Sequence, residues 1–267
     1  MKKTAILPTL FLAFIIATLN SCTKTGPAGP QGNTGATGPN LSGTLQGYVQ
    51  LYDQYGYRIY TPQDSSLLQV GTNSIRTDLN GKYSLTLTTG TYDINITSRP
   101  GGNYGASKIQ GLQFTGGGTL DRDAALSQVP TFSVISVTAK DTAFPAANPV
   151  HYIKITGTVN STDTKPRTVG VFFNTTANVS SVPANYLYAY DPTNPVVAAN
   201  STTFSFNVKS QNIYLMTDLV PTQTVYLAVY PAAVNWNSTS NYLDYASDKK
   251  IYTAIGSTPV NASAVMQ

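Results

Sequence analysis

The sequence predicts an all-β protein: two β-sandwich domains in tandem, carried behind a signal peptide and an extended linker. Three observations predict it. Every one of the 12 acidic residues is Asp, and Thr, Val, Tyr and Asn are plentiful where long surface helices would need Glu, Gln and Lys. Short runs alternate with period two, as in SLTLT at 84–88 and TYDINIT at 91–97. Clusters of Gly, Pro, Asn, Asp and Ser separate those runs at intervals that suit short strands. A chain of 267 residues has room for two such domains after a leader.

The leader is residues 1–21. Lys2 and Lys3 open it, and an apolar stretch follows from Ala5 to Ala17. That length is normal for a signal peptide and marginal for a permanent span. Leu19-Asn20-Ser21-Cys22 resembles a bacterial lipobox. The resemblance implies cleavage before Cys22 and attachment of palmitate-like acyl chains there. Each buried CH₂ contributes about 0.8 kcal/mol, so several chains together hold a soluble domain at a membrane. Cys22 is the only cysteine, which rules out a disulfide framework within the chain. The box and composition are similar to Bacteroidetes-type lipoproteins of the cell outer membrane. Thr23-Lys24-Thr25 stands where surface-exported members carry acidic residues, so a periplasmic and a surface-facing position both stay open.

Residues 22–40 form the linker. Gly26, Gly29, Gly32, Gly35 and Gly38 recur at every third position, with Pro27, Pro30 and Pro39 after Gly. The run resembles a collagen-like repeat, since only Gly fits the axis of a triple helix. Five triplets are few for a stable trimer, so two readings remain: trimerisation through the repeat, or an extended spacer of roughly 45 Å at about 3.1 Å per residue.

The first domain is set at 41–129. Strands are expected at 44–51, 74–75 with 83–87, 92–97 and 108–114. Asp78-Leu79-Asn80-Gly81-Lys82 carries the Asn-Gly signal of a hairpin turn, and Thr89-Gly90-Thr91 marks a second reversal. GTLQGYVQLYDQYGYRI and TDLNGKYSLTLTTGTYDINITS resemble the carboxypeptidase regulatory-like domain, which is a transthyretin-like sandwich. That resemblance implies a scaffold without chemistry of its own, with Tyr83 in the core. Tyr48, Tyr52, Tyr55, Tyr57 and Tyr60 crowd one segment. Ordinary strand packing and an aromatic platform for sugars or peptides are both open readings. Asp53, Asp78, Asn80, Asp121 and Asp123 are oxygen ligands in principle, but they lack calcium-loop spacing, and no metal or cofactor is expected.

The second domain is set at 130–267. Strands are expected from 131 and at 151–159, 168–174, 185–190, 203–208, 212–217, 224–230 and 250–255. VPTQTVYLAVYPAAVNW resembles the penultimate strand of a fibronectin type III or immunoglobulin-like sandwich, with Val225, Leu227 and Val229 on one face and Tyr226, Ala228 and Tyr230 on the other. Trp236 lies in the polar run NWNSTSNY. It is either a core plug or, with Tyr242 and Tyr245, a ring for stacking on a sugar. The candidate ligand platform is therefore Tyr52, Tyr57, Trp236 and Tyr242. Asp141-Thr142-Ala143 resembles a short Bacteroidetes O-glycosylation motif, which makes Thr142 a candidate acceptor.

The net charge of +4 includes two charges from the leader, and the arginines are scattered, so nucleic acid is not an expected partner. His151 is the only histidine, and neither G-x-S-x-G nor a phosphate-binding Gly loop is present. No catalytic residues are assigned. Two functions remain open: a non-catalytic lipoprotein that binds or adheres to a glycan or envelope component, and an accessory lipoprotein that supports an envelope protein assembly.

Overall fold

The computed structural model describes residues 40–60, 65–144, 150–192, 195–217 and 222–267. The leader, Cys22 and the Gly-x-y linker lie outside the described residues. Asn40–Gln267 forms one compact unit and is all-β.

The first core lies between two sheets. One is built on β1 (Ser42–Tyr52), a strand with Leu45, Val49 and Leu51 inward and polar or aromatic residues between them. β1 pairs antiparallel with β2 (Arg58–Ile59) and β5 (Lys82–Thr88). It also pairs in parallel with β8 (Thr119–Asp121) and β9 (Ala124–Ser127). The facing sheet has the order β4 (Asn73–Arg76), β3 (Leu67–Val70), β6 (Gly90–Thr97), β7 (Ser107–Phe114). Leu68, Ile94, Ile96 and Phe114 of this sheet meet Leu45, Leu51, Tyr83 and Leu126 of the first.

The Asn80-Gly81 turn is not the expected hairpin. β4 and β5 belong to different sheets, so the turn passes the chain from one layer to the other. Asp78 builds it: its Oδ1 accepts the Asn80 and Lys82 amides at 2.9 and 2.8 Å, and Gly81 takes φ of 80°. The reversal at 89 likewise separates β5 from β6, which lie in different sheets.

A second core draws on residues from Phe132 to Met266. One of its sheets has the order β10 (Val134–Phe144), β11 (Val150–Val159), β14 (Thr203–Lys209). The other has the order β13 (Tyr188–Tyr190), β12 (Thr168–Asn174), β15 (Thr224–Ala232), β18 (Val260–Val265). β15 buries both faces. Val225, Leu227 and Val229 enter the second core, while Ala228, Tyr230 and Ala232 enter a third apolar cluster with Phe172, Tyr186 and Trp236. A small hairpin, β16 (Asn241–Asp244) with β17 (Lys249–Tyr252), stands between β15 and β18 in the chain.

Two expected strands are corrected. Residues 212–217 belong to a helix, α1 (Ser210–Thr217), in which Ser210 and Ile213 are buried at helical spacing. At 185–190 a single 3-10 turn, Pro183–Asn185, precedes the short β13. Pro183 sets the turn, because its ring fixes φ near the helical value.

Candidate functional site

β1 projects Tyr48, Gln50 and Tyr52 away from its core, because Val49 and Leu51 take the inward positions. The Tyr52 hydroxyl donates to Gln50 Oε1 at 3.0 Å. Arg58 pairs with Tyr52 across the β1–β2 ladder, and its guanidinium lies 5.2 Å from the centre of the Tyr60 ring. Tyr48, Tyr57 and Tyr60 are 42%, 60% and 70% exposed, so these rings face solvent along one hairpin.

The tip of that hairpin is fixed. Asp53 Oδ1 accepts the amides of Tyr55 and Tyr57 at 3.0 and 2.8 Å, which closes the loop. Lys165 Nζ sits 4.7 Å from both the Tyr55 and Tyr57 ring centres and 3.6 Å from Asp53 Oδ2. The Tyr55 hydroxyl donates to Asp163. Burial and then that bond raise the Tyr55 pKa, while the same bond lowers that of Asp163. The acid keeps the charge and the phenol keeps the proton.

Beside this strip lies an open cleft of about 350 Å³, lined by Gln50, Ser107, Asp123, Ser238, Thr239 and Asn241 among others. Gln50 therefore belongs to both the strip and the cleft wall. Ser238 and Thr239 donate their hydroxyls to the Asn235 carbonyl at 3.1 and 2.9 Å, so both side chains are held in place. The side chains of Ser107 and Asn241 have no hydrogen-bond partner among the described residues. The surface combines flat rings with amide, hydroxyl and carboxylate groups at their edge. That combination can stack on a sugar ring and bond its hydroxyls.

The four residues of the expected platform do not come together. Tyr52 and Tyr57 share the β1–β2 hairpin; Tyr52 is half-buried and Tyr57 is exposed. Tyr242 is half-buried on β16 and is not among the residues lining the cleft, although its neighbour Asn241 is. Trp236 is fully buried and offers no face to solvent, which corrects its place in the platform. Its indole N–H donates to Asp191 at 2.7 Å, and its ring lies 4.5 Å from that of Tyr252 and 5.7 Å from that of Phe172.

Thr142 is half-buried on β10, and its hydroxyl donates to the Tyr152 carbonyl at 3.2 Å. His151 Nδ1 lies 3.3 Å from buried Asp141, whose other oxygen accepts the Gln267 amide at 2.6 Å. This pair ties a strand to residue 267. Of the acidic residues weighed as oxygen ligands, Asp53, Asp78 and Asp123 bond backbone amides. Among the described residues, no three His, Cys, Asp or Glu side chains group as metal ligands.

The fold and surface define an all-β protein of stacked sheets carrying a tyrosine-lined strip beside a polar cleft. No protein-family model matches the chain, and no curated protein matches it. Among solved structures, it is similar to a candidate carbohydrate-binding protein from Bacteroides uniformis at 15% identity and a TM-score of 0.27, over 82% of this chain and 97% of that one. A DUF3823 family protein from Parabacteroides merdae gives 16% identity and a TM-score of 0.24, over 83% and 100% of the two chains. Another from Bacteroides ovatus gives 16% identity and a TM-score of 0.27, over 82% and 98%.

Proposed function

We propose that this chain is a non-catalytic envelope lipoprotein, anchored through Cys22 to the outer membrane, that recognises a glycan on its tyrosine strip. The carrying observation is the alternation of Tyr48, Gln50 and Tyr52 along the outer face of β1, beside a cleft lined by polar side chains. Rings supply stacking area with little loss of side-chain freedom, and the cleft supplies directional bonds. The Gly-x-y linker then acts as a spacer between the lipid and the sheets.

The test is a glycan array followed by calorimetry on residues 40–267, which form one compact unit. Tyr48→Ala and Tyr57→Ala should each weaken the binding found by about tenfold, the equivalent of one lost stacking contact. Failure to bind any glycan, or binding unchanged in both variants, would remove the glycan reading and favour the accessory one. In cells, Cys22→Ser should abolish acyl labelling and release the chain from the membrane fraction.

A further inference from the structure

The outer face of the β10–β11–β14 sheet has an ordered composition. The ladder registers place Ser136, Thr158 and Thr203 in one rank and Thr138, Thr156 and Ser205 in the next. Ser136 and Thr158 bond through their hydroxyls at 2.7 Å, and Thr138 and Thr156 at 2.6 Å. A shallow groove of about 250 Å³ lies along these two ranks.

The third rank is Lys140, Lys154 and Asn207, and the fourth contains Tyr152 opposite Lys209. All three lysines are exposed. None forms an ion pair among the described residues, and no acidic residue shares their face in these ranks. Lys140 and Lys154 stand directly opposite each other, where like charges destabilise a ladder. Ladder pairing alone therefore does not account for the Lys140–Lys154 pair.

We infer that this face binds a polyanionic polysaccharide, with the three lysines meeting its carboxylate or sulfate groups and the hydroxyl ranks meeting its sugar hydroxyls. Charge complementarity selects an anion. The hydroxyl ranks select a sugar chain over a bilayer, since the paired positions of these ranks hold no aliphatic side chain to insert. The exposed Ile135 sits at the bulge beyond the first rank. This surface is separate from the tyrosine strip and does not depend on it.

The experiment uses residues 40–267 with polygalacturonate and dextran sulfate as polyanions and dextran as the neutral control. Binding to at least one polyanion and not to dextran is expected, weakening as NaCl rises from about 0.05 to about 0.3 M, because screening shortens the reach of exposed charges. Replacing Lys140, Lys154 and Lys209 together by Gln should lower the affinity at least about tenfold. The same substitution should leave the melting temperature unchanged or raise it, since it removes the Lys140–Lys154 repulsion. Tyr48→Ala should leave polyanion binding unchanged. No polyanion binding, or equal binding by the triple variant, overturns the inference. So does lysine-dependent binding only to about 3:1 phosphatidylcholine–phosphatidylglycerol vesicles, which would assign the face to an anionic membrane.

Discussion

Asp191 is largely buried under the Trp236 indole, and burial raises its pKa from 3.8 to about 6 despite the bond from the indole N–H. The folded protein therefore holds this proton more tightly than the unfolded chain does. Asp191 favours folding most below pH 4, and that contribution is lost as pH rises through about 6. Asp191→Asn keeps an acceptor for the indole and removes the ionisation. The difference in melting temperature between variant and parent should climb in the variant's favour from pH 4 to pH 7, and a flat difference would show that the carboxylate is well solvated. Asp93, Asp163 and Asp244 have lowered values and act in the opposite sense, so only the difference profile isolates Asp191. The run NWNSTSNY left Trp236 open between a core plug and a sugar platform, and its full burial matches the plug. That burial depends on Gly170 of distant β12, where an added Cβ would lie 2.9 Å from the indole.

At the level of elements, period-two patterning reveals the long strands because each has one apolar face, as at 84–88 and 91–97. It fails where that cause is missing. SQNIYLMT holds an apolar run of only four residues, IYLM, and buried Ser210 and Ile213 fit a helix only once the fold is known. β8 and β9 are three and four residues long and exist through parallel pairing with β1, which no local pattern encodes. That pairing brings Arg122 against Gly47, where an added Cβ would lie 2.0 Å from the Arg122 carbonyl oxygen. The Tyr83 hydroxyl donates to the same oxygen, and burial pushes its pKa up to about 12. Gly47→Ala must displace backbone, so urea unfolding should show a loss of about 1–3 kcal/mol. A neutral result would mean that the β8–β9 corner yields freely. The tyrosine strip was legible in the crowding of Tyr48 to Tyr60. The far wall of its cleft, from Ser107, Ser238, Thr239 and Asn241, was not, because those residues meet only after folding.

Across the whole molecule, the two main cores use separate stretches of chain, yet Asn40–Gln267 is one compact unit. A polar seam joins them. The Ser127 amide donates to Ser240 Oγ at 2.6 Å, and Ser127 Oγ lies 2.6 Å from Thr239 Oγ1. Gln54 is buried; its Oε1 accepts the Thr131 amide at 2.8 Å, and its carbonyl accepts the Val234 amide at 2.9 Å. Thr253 donates to the Ala106 carbonyl at 2.5 Å. Single polar residues far apart in sequence make this seam, so hydrophobic patterning is silent about it. In this seam Gln54, Ser127 and Ser240 are buried, and removing one partner of a buried bond leaves the other unsatisfied at a cost of about 1–3 kcal/mol, so the bonded seam couples the cores. Calorimetry of residues 40–267 should therefore give one cooperative transition. Gln54→Ala combined with Ser240→Ala orphans the Thr131 and Ser127 amides while leaving both apolar cores intact, and should split that transition into two. If the parent already melts in two steps, the seam is too weak to couple the cores. The wall that Ser238, Thr239 and Asn241 lend to the cleft would then move independently of β1.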